Sequence, residues 1–119
     1  MPFKVILRGL VESVSSATGA ILAEWEGEAV EHYCLYDEYE LKIIAAHKGI
    51  ILDRMKDAHA ALPGGGVRDA VIETDTQLIV IGGVGPEYSL VMTLDKSALV
   101  GNALYHFRKT LKLLEKEIY

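Results

Sequence analysis

The sequence holds a single cysteine, Cys34, so no internal disulfide forms, and the chain reads as one kept in a reducing compartment. No uninterrupted apolar stretch approaches the roughly 20 residues that a membrane-spanning helix needs. The opening, MPFKVILRGL, has neither the apolar run nor the small-residue cleavage site of a signal peptide. Positive charge is scarce: 12 Lys and Arg stand against 17 Asp and Glu, for a formal net charge of −5. That balance argues against nucleic acid or an anionic membrane surface as a general partner. Together these absences give the expectation of a cytoplasmic protein that does not insert into a membrane.

Catalytic patterns are missing as well. His47 and His59 lie on one helical segment without i, i+4 spacing, and neither belongs to a Glu-x-x-His pattern, so no metal site is expected. His32 and Cys34 alternate along a strand and share a face, which permits a Cys-His dyad on paper. No third group to orient the imidazole is evident, and Cys34 reads as a half-buried structural cysteine. Gly64-Gly65-Gly66 and Gly82-Gly83-Val84-Gly85 do not lead into helices, so neither places backbone N–H groups for phosphate capture. The acidic pairs Asp53/Asp57 and Glu115/Glu117 fit solvated helix faces. The expectation is a binding module with no catalytic residues, no cofactor and no metal.

What is present suits a globular domain. The 119 residues, half of them hydrophobic, read as one domain over residues 1–119. Phe3, Leu7, Leu10 and Val14 recur at helical spacing, with Gly19 as the expected stop. Two strands, 20–25 and 29–35, flank Glu26-Gly27 as a hairpin. Residues 37–62 form the longest helical segment. Pro63-Gly64-Gly65-Gly66 ends it, and three strands with short connections follow as an antiparallel meander. Ser97 is the expected N-cap of a last helix that carries Val100, Leu104, Phe107, Leu111, Leu114 and Ile118 on one stripe. The order α-β-β-α-β-β-β-α fits a three-layer α/β/α sandwich around a five-stranded antiparallel sheet.

The middle helix carries the most information. One stripe, Leu41, Ile44, Ile51, Leu52, Met55 and Leu62, is the expected core face. A neighbouring group, Ile43, Ala46, Ile50 and Ala61, widens the apolar arc beyond what one sheet covers. Short loops of the same chain offer poor cover, and a second copy of the helix is the economical one. Two-fold pairing would bring Gly49 and Ile50 near their symmetry mates.

The pattern resembles the Roadblock family of dynein light chains and bacterial polarity regulators over nearly the whole chain. The resemblance rests on Thr18-Gly19-Ala20-Ile21-Leu22-Ala23-Glu24-Trp25-Glu26-Gly27 after an N-terminal helix, and on the long middle helix. Its third part is Tyr88-Ser89-Leu90-Val91-Met92-Thr93-Leu94 followed by Leu99-Val100-Gly101-Asn102-Ala103-Leu104-Tyr105-His106-Phe107-Arg108. It implies a profilin-like fold and a homodimer, with the middle helices paired and the strand 67–74 extending the sheet across the two-fold axis. It further implies a platform for a Ras-like small GTPase or a motor complex, and the bacterial members stimulate a GTPase without inserting an arginine.

The expected dimer contacts are Ile43, Ala46, His47, Gly49, Ile50, Arg54, Ala61 and Val71. The expected partner surface is Lys42, Asp53, Lys56 and Asp57. Alternatives are a small-ligand sensor or motor adaptor of the same shape, and an enzyme using Cys34 and His32.

Overall fold

The computed structural model describes residues 3–24, 28–59 and 67–119. Its elements are α1 (Phe3–Ser13), β1 (Ala17–Glu24), β2 (Ala29–Cys34), α2 (Glu38–His59), β3 (Asp69–Glu73), β4 (Gln77–Val84), β5 (Tyr88–Asp95) and α3 (Val100–Ile118). The five strands form one antiparallel sheet in the order β2-β1-β5-β4-β3, so the first hairpin docks against the last strand of the meander. The expected fold class and element order are observed. Trp25-Glu26-Gly27, Ala61, Leu62 and Pro63 to Gly66 lie outside the described residues, as do the surroundings of Gly49 and the side chains of Ile50, Asp53 and His59.

Alternation along the strands builds two cores. Leu78 and Val80 of β4, with Leu90, Met92 and Leu94 of β5, face α1 and α3. Ile79, Ile81 and Val91 point the other way and pack with Leu41, Ala45 and Leu52 of α2. A strand buried on both faces reads as a continuous apolar run, which is why QLIVIGGV and YSLVMTLD lack polar alternation. On the first face α1 lies over β1 and β2 while α3 lies over β4.

Three local expectations are corrected. Helix α1 stops at Ser13, whose hydroxyl donates to the Gly9 carbonyl at 2.6 Å, and Gly19 sits inside β1 rather than capping a helix. A Cβ at Gly19 would lie 3.0 Å from the Cβ of Cys34 and 3.2 Å from the Tyr36 ring, so close strand packing is what requires glycine there. Ser97 does not cap α3. It sits in a turn begun by Asp95, whose carbonyl accepts from the Ala98 N–H at 3.0 Å, and the extended Leu99 precedes the helix without a side-chain cap. The burial stripe of α3 also rotates, so that Ala103 and Thr110 join Phe107 and Leu114 inside.

Helix α3 approaches β4 most closely at Gly82, where an added Cβ would meet Phe107 Cε2 at 2.9 Å and Leu111 Cδ1 at 3.1 Å. Both neighbours are held in a packed layer. Gly82→Ala is therefore expected to overpack it and to cost about 1–3 kcal/mol. Chemical denaturation checks this: the midpoint falls while the dependence on denaturant is unchanged.

Candidate functional site

The second face of the sheet is covered unequally. Five strands about 4.8 Å apart make a surface roughly 20 Å wide, and one helix with its side chains is only about 10 Å across. Helix α2 alone spans β2, β1, β5 and β4 on that face. At the β3 edge Val67, Ala70 and Ile72 remain only partly buried.

Leu41, Ala45 and Leu52 are buried on α2, whereas Ile43 is 46%, Ile51 40% and Met55 37% exposed. This corrects the expected core stripe. The small Ala45 at its centre packs directly in the cluster formed with Ile21, Ile79 and Ile81, and the buried stripe narrows accordingly. Ile51 and Met55 thereby leave the core. They join Ile43 and the exposed His47 at every fourth residue, a single open apolar side of α2 with Arg54 exposed beside it. Ala46 is half-buried on its border. Sequence spacing places Ile51 and Met55 within the wide arc, but it gives no signal of which side of that arc meets the sheet.

Strand β3 is an edge strand, and its pairing shows which backbone groups are unused. Gly83 N–H donates to the Arg68 carbonyl and Thr74 N–H to the Gln77 carbonyl, so even-numbered residues of β3 face β4. The N–H and C=O groups of Asp69, Val71 and Glu73 therefore point away from the sheet. The Val71 side chain is 40% exposed on the α3 side. An open strand edge is a template for another strand, and an open apolar helix face for another helix.

The residues expected to bind a partner divide. Lys42 and Asp57 stand exposed on α2, away from the Ile51 side. Lys56 is half-buried and lines a surface hollow of about 890 Å³ with Arg68, Arg108 and Lys112. Tyr39, which sequence spacing did not single out, borders a shallower hollow of about 410 Å³ with Lys42, Ile43 and His47.

The Cys-His pair does not assemble. The Cys34 thiol donates to the Tyr36 carbonyl at 3.1 Å, and His32 Nε2 pairs with Glu38. Cys34 instead neighbours a hydroxyl cluster that joins three chain segments. Tyr36 donates to Thr93 Oγ1 at 3.1 Å, and Thr93 Oγ1 lies 2.8 Å from Thr18 Oγ1. Burial pushes the Tyr36 hydroxyl above its ordinary pKa, outweighing the Thr93 contact, and Glu40 adds to the rise. Burial also raises Tyr119, with the Glu87 carboxylate adding to it, and the hydrogen bond to Asp69 raises Arg108. No group of three or more acidic, histidine or cysteine side chains is placed to hold a metal among the described residues.

Because the folded-state pKa of Tyr36 lies above the ordinary value of 10.0, its contribution to stability is whole below that pH. It is lost as pH rises through the raised value. Tyr36→Phe is expected to cost about 0.5–1.5 kcal/mol at neutral pH, one hydrogen bond, and to remove this alkaline component. Denaturation of both proteins across alkaline pH reads the difference.

No sequence-family model matches the chain, and no curated protein matches it. Solved structures do. A Roadblock/LC7 domain from Streptomyces avermitilis superposes with a TM-score of 0.86 at 22% identity, covering 97% of this chain and 96% of that one. Myxococcus xanthus MglB gives 0.86 at 13% identity, covering 99% and 95%. The gliding protein MglB of Thermus thermophilus gives 0.82 at 15%, covering 94% and 84%. No described helix is long and apolar enough to cross a membrane. The chain has the Roadblock/LC7 fold along nearly its whole length.

Proposed function

We propose that this protein is a non-enzymatic, cytoplasmic homodimer that binds and regulates, or scaffolds, a Ras-like small GTPase. The observations that carry the proposal are the open apolar side of α2 and the unpaired edge of β3, in a fold shared with MglB proteins. In the proposed dimer the α2 helices pack across the two-fold axis through Ile43, Ala46, His47, Ile51, Arg54 and Met55. The β3 strands add edge to edge about Val71, making one continuous sheet. The expected contacts Gly49, Ile50 and Ala61 belong to the same proposal, although Ala61, the Ile50 side chain and the surroundings of Gly49 lie outside the described residues. Burial of apolar surface at about 25 cal/mol per Å² drives the association, and the outward N–H and C=O groups of β3 fix its register.

The surface left over on α2, with Lys42, Asp53, Lys56 and Asp57, is where the GTPase docks. The ligand-sensor alternative finds less support, because the layers between sheet and helices are filled by Leu, Ile, Val and Phe. The hollow of about 890 Å³ lies at the sheet corner and not between those layers.

Ile51→Asp is expected to give a folded species of half the mass by light scattering, because that side chain is exposed in the protomer. Leu52→Asp, at a wholly buried neighbour, is expected to abolish folding. A native-like dimer carrying Ile51→Asp would remove α2 from the interface.

The GTPase assignment is tested by co-elution with Ras-like GTPases of the same genome and by their rate of GTP hydrolysis with and without the protein. Co-elution is expected, and binding to none of them would overturn the assignment. Lys42→Glu and Asp57→Lys are expected to weaken co-elution severalfold, since an exposed charge pair contributes about 0.2–1 kcal/mol. Both are expected to leave the dimer intact.

A further inference from the structure

The outward side of α3 is unlike the rest of this acidic molecule. Arg108, Lys109, Lys112 and Lys116, all exposed, stand on that helix against only Glu115 and Glu117, whereas the four basic residues of α2 are matched by Glu38, Glu40, Asp53 and Asp57. Tyr105, 62% exposed, and Leu113, 46% exposed, stand among them. Tyr105 and Leu113 give this charged face two apolar points of contact. Tyr105 is also held in place, its ring edge-on to His106 with centroids 5.1 Å apart. Beside it a hollow of about 520 Å³ is lined by Gly101, Leu104, Tyr105, Arg108, Lys109 and Lys112. A Cβ at Gly101 would meet nothing within 4 Å, so the hollow is open at that end.

We propose that this strip of α3, Tyr105, Lys109, Lys112, Leu113 and Lys116, is a docking site for an acidic segment of another protein. The occupant follows from charge and shape. From Tyr105 to Lys116 the helix rises about 16 Å, the reach of roughly five residues of extended chain. Carboxylates along such a segment would meet the ammonium groups, while its apolar side chains would cover Tyr105 and Leu113. Arg108 contributes less, because Asp69 already holds its guanidinium at 2.9 Å.

A membrane surface fits less well. An extended anionic plane meets the whole molecule with its net charge of −5, whereas a narrow segment feels only the charges within about 8 Å of it at physiological salt. A second copy is the other acidic candidate, since no lysine or arginine occurs between Arg8 and Lys42. There, however, Glu31 already pairs with Lys4 and Glu38 with His32. The strip lies on the layer opposite α2 and adjoins the proposed GTPase surface only at the hollow that Lys112 shares with Lys56, and its test uses no GTPase, so it stands or falls apart from that assignment.

The probe is a short fluorescent peptide alternating glutamate with leucine, titrated by anisotropy into the full chain at low and high salt. Binding at low salt that weakens with added salt is expected, with no binding of the counterpart carrying lysine for glutamate. The combined variant Lys109→Glu, Lys112→Glu, Lys116→Glu should lose about tenfold or more in affinity. Tyr105→Ala, which leaves every charge in place, should lose severalfold. Circular dichroism and light scattering should show both variants folded with the oligomeric state of the parent, as expected for exposed residues. Absence of peptide binding, equal binding by the triple variant, or indifference to Tyr105→Ala would overturn the proposal. So would preferential, triple-variant-sensitive binding to vesicles of phosphatidylglycerol and phosphatidylcholine, which would make the strip a membrane contact. Self-association at low salt that the triple variant abolishes would likewise overturn it in favour of a second copy.

Discussion

A sheet that is apolar on both faces must be covered on both, and this one has two helices on one side and a single helix on the other. The rest of the molecule follows from that inequality. Two helices match the width of five strands, and the α1–α3 layer closes over Leu22, Val80, Met92 and Leu94. One helix does not. On the α2 layer the β3 residues Ala70 and Ile72 are only partly buried, and Ile51 and Met55 of α2 stay exposed. The pairing surface of the proposed dimer is thus what remains when one helix covers a sheet twice its width.

The covered regions are held by close approach more than by charge. Gly19 and Gly82 let strands and helices come nearer than any side chain would allow, each against one face of the sheet. The hydroxyl cluster of Thr18, Tyr36 and Thr93 satisfies polar groups where β1, β5 and the segment after β2 meet. The ion pairs Arg8–Glu12 and Lys96–Glu73, by contrast, lie between well-exposed side chains, where such pairs contribute little. Charge in this protein therefore bears on partners more than on stability. Its distribution is uneven, with no lysine or arginine between Arg8 and Lys42 and an excess of them over carboxylates on α3.

Those two layers suit two tasks. The α2 layer is apolar and adjoins a free strand edge, which favours a large, permanent contact with an identical chain. The α3 layer is basic with isolated apolar side chains, which favours a smaller, salt-sensitive contact. The one pairing that the sequence offered for a reaction centre does not assemble. Cys34 and His32, the pair that invited one, are each engaged by other groups.

Element order, fold class and the resemblance to Roadblock proteins were legible in the sequence, because they rest on hydrophobic periodicity and on turn residues, both local. Strands of two-sided apolar character and a helix of unusually wide apolar arc announced themselves in the same way. The role of Gly19, the uncapped start of α3 and the orientation of α2 were not legible. Each depends on contacts between segments far apart in the chain: Gly19 with Cys34 and Thr93, β1 with β5, Ala45 with Ile79. The sequence by itself determined that α2 has more apolar surface than one sheet can bury. Only the tertiary structure decided which part stays outside, because that depends on how helix and sheet side chains interdigitate: Leu41, Ala45 and Leu52 pack with Ile79 and Ile81, while Ile51 and Met55 stay exposed.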